Sequence, residues 1–199
     1  PADVVVIGAG VSGVNAAQVA LGMGARVQIL DLDVPRLREV DARFGGRITT
    51  VASNAFAVEQ AAREADLVIG AVLVPGAKAP TLISDDLVAQ MRPGSVLVDI
   101  AIDQGGCFES SRATTHDDPT FRVHDSTFYC VANMPGAVPR TSTFALTNVT
   151  LLYAVALADR GWRGATEADP ALAAGLSTHD GALLNAAVGE ALDIEAAAL

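Results

Sequence analysis

Cysteine and positive charge are both scarce in this sequence, and each shortage excludes a class of protein. Cys107 and Cys130 are the only two cysteines, and they stand too far apart to indicate a disulfide framework or a metal cluster. The 13 Lys and Arg against 23 Asp and Glu give a formal net charge of −10, with no basic run to contact a phosphate backbone. We therefore expect a protein of a reducing compartment, the cytoplasm, with no metal site and no nucleic-acid partner.

Long apolar runs are also missing, although the chain is apolar overall. The longest strongly apolar run, Leu151 to Ala158, is far shorter than the ~20 residues that span a bilayer, so no membrane partner is expected. Hydrophobic residues make up 51% of the chain and charged residues 18%, below the roughly 25% charged content of an average soluble domain. This imbalance predicts that something else covers part of the surface.

Strands and helices alternate along the first two thirds of the chain. Val4 to Ile7 is an apolar run too short for a helix, and apolar residues then recur at helical spacing until Gly22. Further strands are predicted at Arg26–Leu30, Ile48–Ala52, Leu67–Val72, Ser95–Ile100 and Phe128–Ala132. Helices are predicted at Pro35–Phe44, Phe56–Glu64 and, capped by Ser84, up to Met91. This βαβ alternation is typical of an α/β fold with a doubly wound parallel sheet of the Rossmann type.

The remaining segments give weaker signals. Residues 103 to 126 have no clear period and are predicted to be a long connection. The segment from Thr141 to Asp159 has helical periodicity and is apolar most of the way round, which predicts an interface or hinge helix. Two shorter alanine-rich segments near 168–175 and 181–192 complete the predicted C-terminal helices.

A glycine-rich turn follows the first predicted strand and opens the first predicted helix. Gly8, Gly10 and Gly13 have the G-x-G-x-x-G spacing, in which the first glycine allows the turn, the second allows a pyrophosphate to approach, and the third allows helix packing. The phosphates would meet the positive end of the helix. Asp31 ends the second strand, where a carboxylate accepts hydrogen bonds from ribose hydroxyls and repels a 2′-phosphate, so NAD is favoured over NADP. The alternative is a packing turn with a surface aspartate.

Three loops are predicted to face the reactive half of such a cofactor, because ligands bind outside the carboxyl ends of parallel strands. They are Val72–Gly76, Ile100–Gly106 and Val131–Pro135. Asp103 is the only carboxylate in them and can hold a ribose hydroxyl or a proton carrier, or else simply form a turn.

Four other residues that could take part in catalysis are assigned structural roles. His116, His124 and His179 lie outside the three loops and are interpreted as surface or packing residues. Cys107 has no basic neighbour in sequence and is interpreted as a small packing residue.

With these loops in view, the sequence closely resembles the NAD-dependent L-alanine dehydrogenases. The segments that show the resemblance are Val6–Gly10, Ala65–Pro80, Val98–Gly106, Val131–Pro135, Thr141–Thr143 and Leu176–His179. The resemblance implies NAD as cofactor and reversible oxidative deamination of L-alanine to pyruvate and ammonium.

The resemblance also assigns roles to residues. It places Asp31, Arg36 and Ser53 at the adenosine end of the cofactor, and Val11 and Ser12 at its phosphates. It places on the nicotinamide side Val72, Leu73, Ile100, Ala101, Ile102, Asp103, Arg112, Val131, Ala132, Asn133 and Met134. Asp103 takes a catalytic part beside a histidine that this chain does not contain.

That histidine belongs, with a substrate-binding arginine and lysine, to an N-terminal half of the family's substrate domain. We therefore expect residues 1–139 to be the NAD-binding domain and residues 140–199 to be the hinge helix and a C-terminal segment of the substrate domain. The chain alone is expected to be inactive, and the complete protein is expected to be a homo-oligomer, a hexamer by family resemblance. Two alternatives remain: the NAD(H)-binding component of a proton-translocating transhydrogenase, and a non-catalytic NAD-binding module.

Overall fold

A computed structural model describes residues 1–74 and 79–197 of the chain. These residues divide into two units. We call residues 1–74 and 79–134 the sheet unit and residues 135–197 the helical unit.

A seven-stranded sheet forms the centre of the sheet unit. Its strands are β1 (Asp3–Ile7), β2 (Arg26–Asp31), β3 (Thr49–Ala52), β4 (Leu67–Gly70), β5 (Val96–Asp99), β6 (Thr120–Val123) and β7 (Ser126–Tyr129). The strand order is β3-β2-β1-β4-β5-β7-β6, and every neighbouring pair is parallel except β6 and β7. The predicted Rossmann-type α/β fold is confirmed. The strand order reverses between β1 and β4, which is where sheets of this kind bind ligands.

Four helices accompany these strands, and side chains cap three of them. The helices are α1 (Val11–Gly22), α2 (Val34–Phe44), α3 (Ala55–Glu64) and α4 (Asp85–Val88). The side chains of Asp33, Asn54 and Ser84 accept a backbone N–H in the first turn of α2, α3 and α4. The predicted Ser84 cap is confirmed, but α4 ends at Val88 and does not continue to Met91.

Apolar side chains pack on both faces of the sheet, which explains the unbroken apolar run of the first strand. Val5 and Ile7 belong to one buried cluster, with Leu97 and Phe128. Val4 and Val6 belong to the other, with Ile29 and Leu37 among others. Successive side chains of β1 thus alternate between two cores, as a central strand requires.

The connection predicted over residues 103 to 126 contains a strand. The segment β6 pairs antiparallel with β7, and its Phe121 ring lies 5.3 Å from that of Phe128. Because β6 is only four residues long and half-exposed, it has too few alternations to be detected from sequence. The strand predicted over Phe128–Ala132 is β7, shifted towards the N-terminus; Val131 forms only an isolated bridge with Thr114.

The helical unit contains three helices and a short hairpin. These are α5 (Pro139–Ala168), α6 (Pro170–Ala174), β8 (Thr178–His179), β9 (Ala182–Leu183) and α7 (Ala186–Leu192). The helix predicted to end at Asp159 is interrupted two residues later, since Gly161 has φ 67° and ψ 166°, but helical residues resume after it. The helix predicted over 181–192 begins only at Ala186, because the preceding residues pair as the hairpin.

The helix α5 is longer and more exposed than its sequence indicates. An 18-residue window of it has a mean hydropathy of 1.4, so by length and composition it could cross a membrane, although one such helix is weak evidence. The uninterrupted apolar run seen in the sequence, Leu151 to Ala158, is much shorter than this helix. The helix is longer because it includes less apolar residues on both sides of that run.

Candidate functional site

The glycine turn between β1 and α1 is shaped by two close approaches of backbone. Gly8 has φ +106°, and a Cβ there would lie 2.6 Å from the carbonyl oxygen of Ala71, just beyond β4. A Cβ on Gly13 would overlap the carbonyl oxygen of Gly8. The turn therefore brings the start of α1 against the carboxyl ends of β1 and β4, at the point where the strand order reverses.

Gly10 differs from Gly8 and Gly13 because no described residue requires it to be a glycine. A Cβ at Gly10 would meet no atom within 4 Å, and its φ of −71° suits any residue. Gly10 precedes α1, whose first-turn residues Val11 and Ser12 are exposed. The first N–H groups of a helix have no partner within the helix and attract anions. The open space over Gly10 and the exposed helix start thus fit a pyrophosphate.

Asp31 lies at the end of β2 and binds the glycine turn directly. Its Oδ2 accepts the N–H of Ala9 at 2.6 Å, and its Oδ1 accepts the N–H of Asp33 at 2.8 Å. The side chain is 13% exposed, and Arg36 Nη1 lies 3.8 Å from Oδ2. Each carboxylate oxygen has further lone pairs, so Asp31 can hold the turn and still accept hydrogen bonds from a diol.

The other two residues assigned to the adenosine end lie beside Asp31. Ser53 follows β3 and donates its backbone N–H to the carbonyl oxygen of Asp31 at 2.9 Å. Arg36 lies on α2 and lines a cleft of about 130 Å³ between the first part of α1 and one side of α2. The structure therefore brings these residues together around the end of β2, as a site for one end of a dinucleotide requires.

The loop after β4 is described only in its first part. Val72 packs on the buried core, whereas Leu73 is 64% exposed. Residues 75 to 78, which include the predicted loop residues Pro75 and Gly76, lie outside the described part of the chain.

The loop after β5 is a short 3₁₀ helix, Ile100–Gln104, organised by a buried acid at the end of the strand. Asp99 is fully buried, and its carboxylate accepts the N–H groups of Ala101 at 3.0 Å and Cys107 at 2.8 Å. Ala101 and Ile102 point into the core, while Asp103 is exposed. This turn explains why β5 ends at Asp99, one residue before the predicted end of the strand at Ile100.

Asp103 is bound to the third predicted loop. The N–H of Asn133 donates to Oδ1 of Asp103 at 3.2 Å and to Oδ2 at 3.4 Å. Asn133 has φ 52°, and its carbonyl oxygen lies 3.2 Å from Nε2 of His116. The loops after β5 and β7 are thus tied together through one exposed carboxylate.

Of four further residues assigned to the nicotinamide side, three belong to the third loop and one, Arg112, lies outside the loops. Val131 is buried, Ala132 donates its N–H to the carbonyl oxygen of Thr114, and Met134 begins a 3₁₀ helix. The guanidinium of Arg112 lies 4.2 Å from the centre of the Phe121 ring, a stacking contact that fixes its direction.

The residues that sequence analysis assigned to structural roles are seen in three different settings. Burial, and then the nearby Asp99 carboxylate, raises the pKa of the Cys107 thiol, so this thiol is protonated rather than nucleophilic. His124 pairs with Asp85 at 2.9 Å, and His179 stacks on Trp162 within the helical unit. His116 is the exception, since it contacts Asn133 within the site.

Sequence reasoning missed Asp99 and the role of His116. The signal for Asp99 was available, because an acid at the end of an otherwise apolar strand needs partners if it is buried. His116 had no such signal, since its contact with Asn133 joins residues 17 positions apart in irregular backbone.

Comparison with known proteins agrees with this geometry. The family model described as "Alanine dehydrogenase/PNT, C-terminal domain" matches residues 1–186. The chain is 66% identical over 194 residues to the alanine dehydrogenase of Mycolicibacterium smegmatis, covering 98% of this chain and 52% of that protein. The chain therefore spans about half the length of the curated relatives that it matches.

Two solved structures extend the comparison. An L-alanine dehydrogenase matches with a TM-score of 0.85 at 50% identity, covering 97% of this chain and 53% of that one. A transhydrogenase from Sinorhizobium meliloti matches with a TM-score of 0.65 at 28% identity, covering 72% and 42%. The chain belongs to the alanine dehydrogenase/PNT C-terminal domain family, a family of NAD-binding domains.

Proposed function

We propose that this chain supplies the cofactor-binding part of an NAD-dependent L-alanine dehydrogenase. The reaction converts L-alanine, NAD⁺ and water reversibly into pyruvate, ammonium, NADH and a proton. The observation that carries the proposal is the arrangement of two carboxylates, with Asp31 holding the open glycine turn and Asp103 holding the Asn133 turn. The identity to alanine dehydrogenases, which extends over 98% of the chain, supports the same assignment.

The adenosine half of the cofactor is held by the turn and by Asp31. The exposed N–H groups at the start of α1 bind the pyrophosphate over Gly10, where a side chain would fill the space. Asp31 accepts hydrogen bonds from the ribose hydroxyls, and its negative charge repels a 2′-phosphate. Arg36 does not reverse this preference, because its guanidinium lies within 4 Å of both Asp31 and Asp33. NAD is therefore preferred to NADP.

The reacting end is placed by the loops after β4, β5 and β7. The nicotinamide ring, when bound, accepts the hydride removed from the amino acid. Asp103 faces this end with an exposed carboxylate that has spare lone pairs after its contact with Asn133. It can therefore orient a hydrogen-bond donor on the substrate side or hold a proton at Oδ1 or Oδ2. The groups that bind the substrate carboxylate would come from a further domain, since curated relatives are about twice as long as this chain.

The proposal also covers the division into domains, the oligomeric state and the compartment. We propose that residues 1–139 form the NAD-binding domain, and that residues 140–199 form a hinge helix with a segment of the substrate domain. The exposed apolar side chains of α5 suit an interface between subunits, so the complete protein is proposed to be a homo-oligomer, a hexamer as the family resemblance implies. Cys107 and Cys130 are both free and buried, which agrees with a place in the cytoplasm.

A titration tests the cofactor assignment on the 199-residue chain. NADH fluorescence is expected to show saturable binding, because the turn, Asp31 and the described parts of the nicotinamide loops are present together. NADPH at the same concentrations is expected to bind far more weakly. Absence of saturable NADH binding by a chain that is folded by circular dichroism would contradict the assignment.

A turnover assay tests the reaction. The complete protein is expected to form NADH when L-alanine and NAD are supplied, whereas the 199-residue chain alone is expected to form none. Hydride transfer only to another nucleotide-binding subunit would indicate the transhydrogenase alternative. Cofactor binding without either reaction in the complete protein would indicate a non-catalytic module.

A further inference from the structure

Asp99 is a buried carboxylate to which the proposed mechanism assigns no role. It is the last residue of β5, its side chain is fully buried, and it accepts four hydrogen bonds. The donors are the N–H groups of Ala101 (3.0 Å) and Cys107 (2.8 Å), the Ser111 hydroxyl (2.5 Å) and the Cys107 thiol (3.4 Å).

These donors come from both ends of one loop. Ala101 lies at the start of the 3₁₀ helix that contains Asp103, whereas Cys107 and Ser111 lie after it. Gly106 has φ +77°, and a Cβ there would lie 2.8 Å from Oδ2 of Asp99, so the chain folds closely around the carboxylate. The loop is therefore wrapped around Asp99 and is closed by it.

The chemistry of the donors requires an acceptor-only group at this position. The two N–H groups can only donate, and burial, together with the Asp99 charge, keeps the Cys107 pKa raised, so the thiol also donates. No lysine or arginine among the described residues forms an ion pair with Asp99. Among the described residues, the partners of the buried carboxylate are hydrogen-bond donors, and removing the acceptor would leave several of them unpaired.

We propose that Asp99 is a positioning residue for Asp103, fixing the loop that sets the distance between the Asp103 carboxylate and the reacting atoms. This inference rests on the proposed function, because it assigns Asp103 to the reacting end. Asp99 lies four residues before Asp103 and is fully buried, so its carboxylate is not open to a ligand. Its effect is on turnover, since misplacement of a reacting group by about 1 Å lowers the rate by up to about 100-fold.

The test compares two buried polar substitutions in the complete protein. Asp99→Asn keeps the size of the side chain but turns an amide NH₂ towards the backbone N–H of Ala101 or of Cys107, neither of which can accept, and it is expected to lower kcat at least about tenfold. The affinity for NADH is expected to change less than about threefold, since Asp31 and the glycine turn are untouched. The matched control is Ser126→Ala, which breaks the buried Ser95–Ser126 hydroxyl contact of 2.7 Å near the other ends of β5 and β7. Both variants are expected to lower the melting temperature, but only Asp99→Asn lowers kcat.

A double-mutant cycle separates positioning from simple loss of stability. In an Asp103→Asn background, Asp99→Asn is expected to lower kcat no further, although it still lowers the melting temperature. If Asp99→Asn fails to fold, Ser111→Ala removes one donor and is expected to lower kcat less, with the same dependence on Asp103.

Two outcomes would overturn the inference: an unchanged kcat in the folded Asp99 and Ser111 variants, or an undiminished loss of kcat when Asp103 is already replaced. Both are distinct from failure of the proposed function. That failure would appear in the unsubstituted protein, as an absence of alanine-dependent NADH formation.

Discussion

The sheet unit and the helical unit use apolar residues in opposite ways. In the sheet unit, apolar side chains from strands and helices are enclosed in two clusters within the unit itself. Among described residues of the helical unit, Ala165 is the only buried hydrophobic residue, while Leu152 on α5 is 76% exposed. The apolar side chains of the sheet unit are therefore buried against residues of the same unit. The helical unit leaves such side chains exposed, as the proposed interface between subunits would require.

The largest expected effect tests whether the sheet unit depends on its own backbone contacts. Gly13→Val places a side chain against the carbonyl oxygen of Gly8 and should destabilise the protein by about 3 kcal/mol or more, with loss of NADH binding. Thermal unfolding and NADH titration measure both effects.

Gly10→Ala and Gly22→Ala are the matched controls for that substitution, since a Cβ at either position meets nothing within 4 Å. Gly10→Ala should keep the stability but lose NADH affinity, whereas Gly22→Ala should keep both. Equal loss of stability in Gly10→Ala and Gly13→Val would contradict the assignment of Gly13 to close packing and of Gly10 to ligand binding.

The next prediction tests whether the helical unit depends on an outside partner. Leu152→Glu with Val155→Glu places two charges on one side of α5, and it should dissociate the complete assembly while leaving NADH binding largely intact. Sedimentation velocity measures the change in mass. Thr150→Glu, on the opposite side of the helix at 100° per residue, is the control. An assembly that survives the double substitution with equal stability would mean that this stripe faces solvent.

A smaller effect is expected at Asp31, whose carboxylate accepts the N–H of Ala9 and is also proposed to bind the ribose. Asp31→Ala should weaken NADH binding by roughly 1–3 kcal/mol, because ribose hydroxyls and the N–H of Ala9 both lose an acceptor. Calorimetric titration measures the affinity. Asp33→Ala removes the cap of α2 and should lower stability by about 1 kcal/mol with little change in affinity. Similar affinities for both variants would show that Asp31 is only a surface residue.

The smallest effect concerns the surface charges at the amino end of β1. A hydrogen bond from Arg26, with a second from Arg92, lowers the pKa of Asp3 from 3.8 to about 2. A lowered carboxyl pKa stabilises the fold above about pH 4, and this contribution is lost as the pH falls towards 2. Asp3→Asn should flatten the dependence of melting temperature on pH over that window, and high salt should reduce the difference. A difference that grows with added salt would contradict it.

Sequence patterns predicted those candidate site residues whose spacing along the chain is fixed by consecutive elements of structure. Gly8, Gly10, Gly13 and Asp31 were found because turn, helix start and strand end follow one another at fixed spacing.

Contacts across irregular backbone were not predictable in the same way. Asp99 binds Ser111 twelve positions later, and no period relates the two. The segment β6 was missed because four half-exposed residues hold too little alternation, and its strand character comes from pairing with β7. In both cases the local structure depends on contacts with residues outside the segment, which a local sequence pattern does not indicate.

The hydrogen bond between Asp31 and Ala9 has a consequence for engineering cofactor preference. Replacing the acid is the obvious route to an NADP-using variant, because it removes the charge that repels the extra phosphate. Here the same replacement leaves the Ala9 amide, 2.6 Å from Oδ2, without its acceptor and loosens the turn that is proposed to hold the pyrophosphate. A successful switch would therefore combine a basic residue nearby with a neutral acceptor of equal reach, such as asparagine at position 31, so that specificity changes while the turn keeps its hydrogen bond.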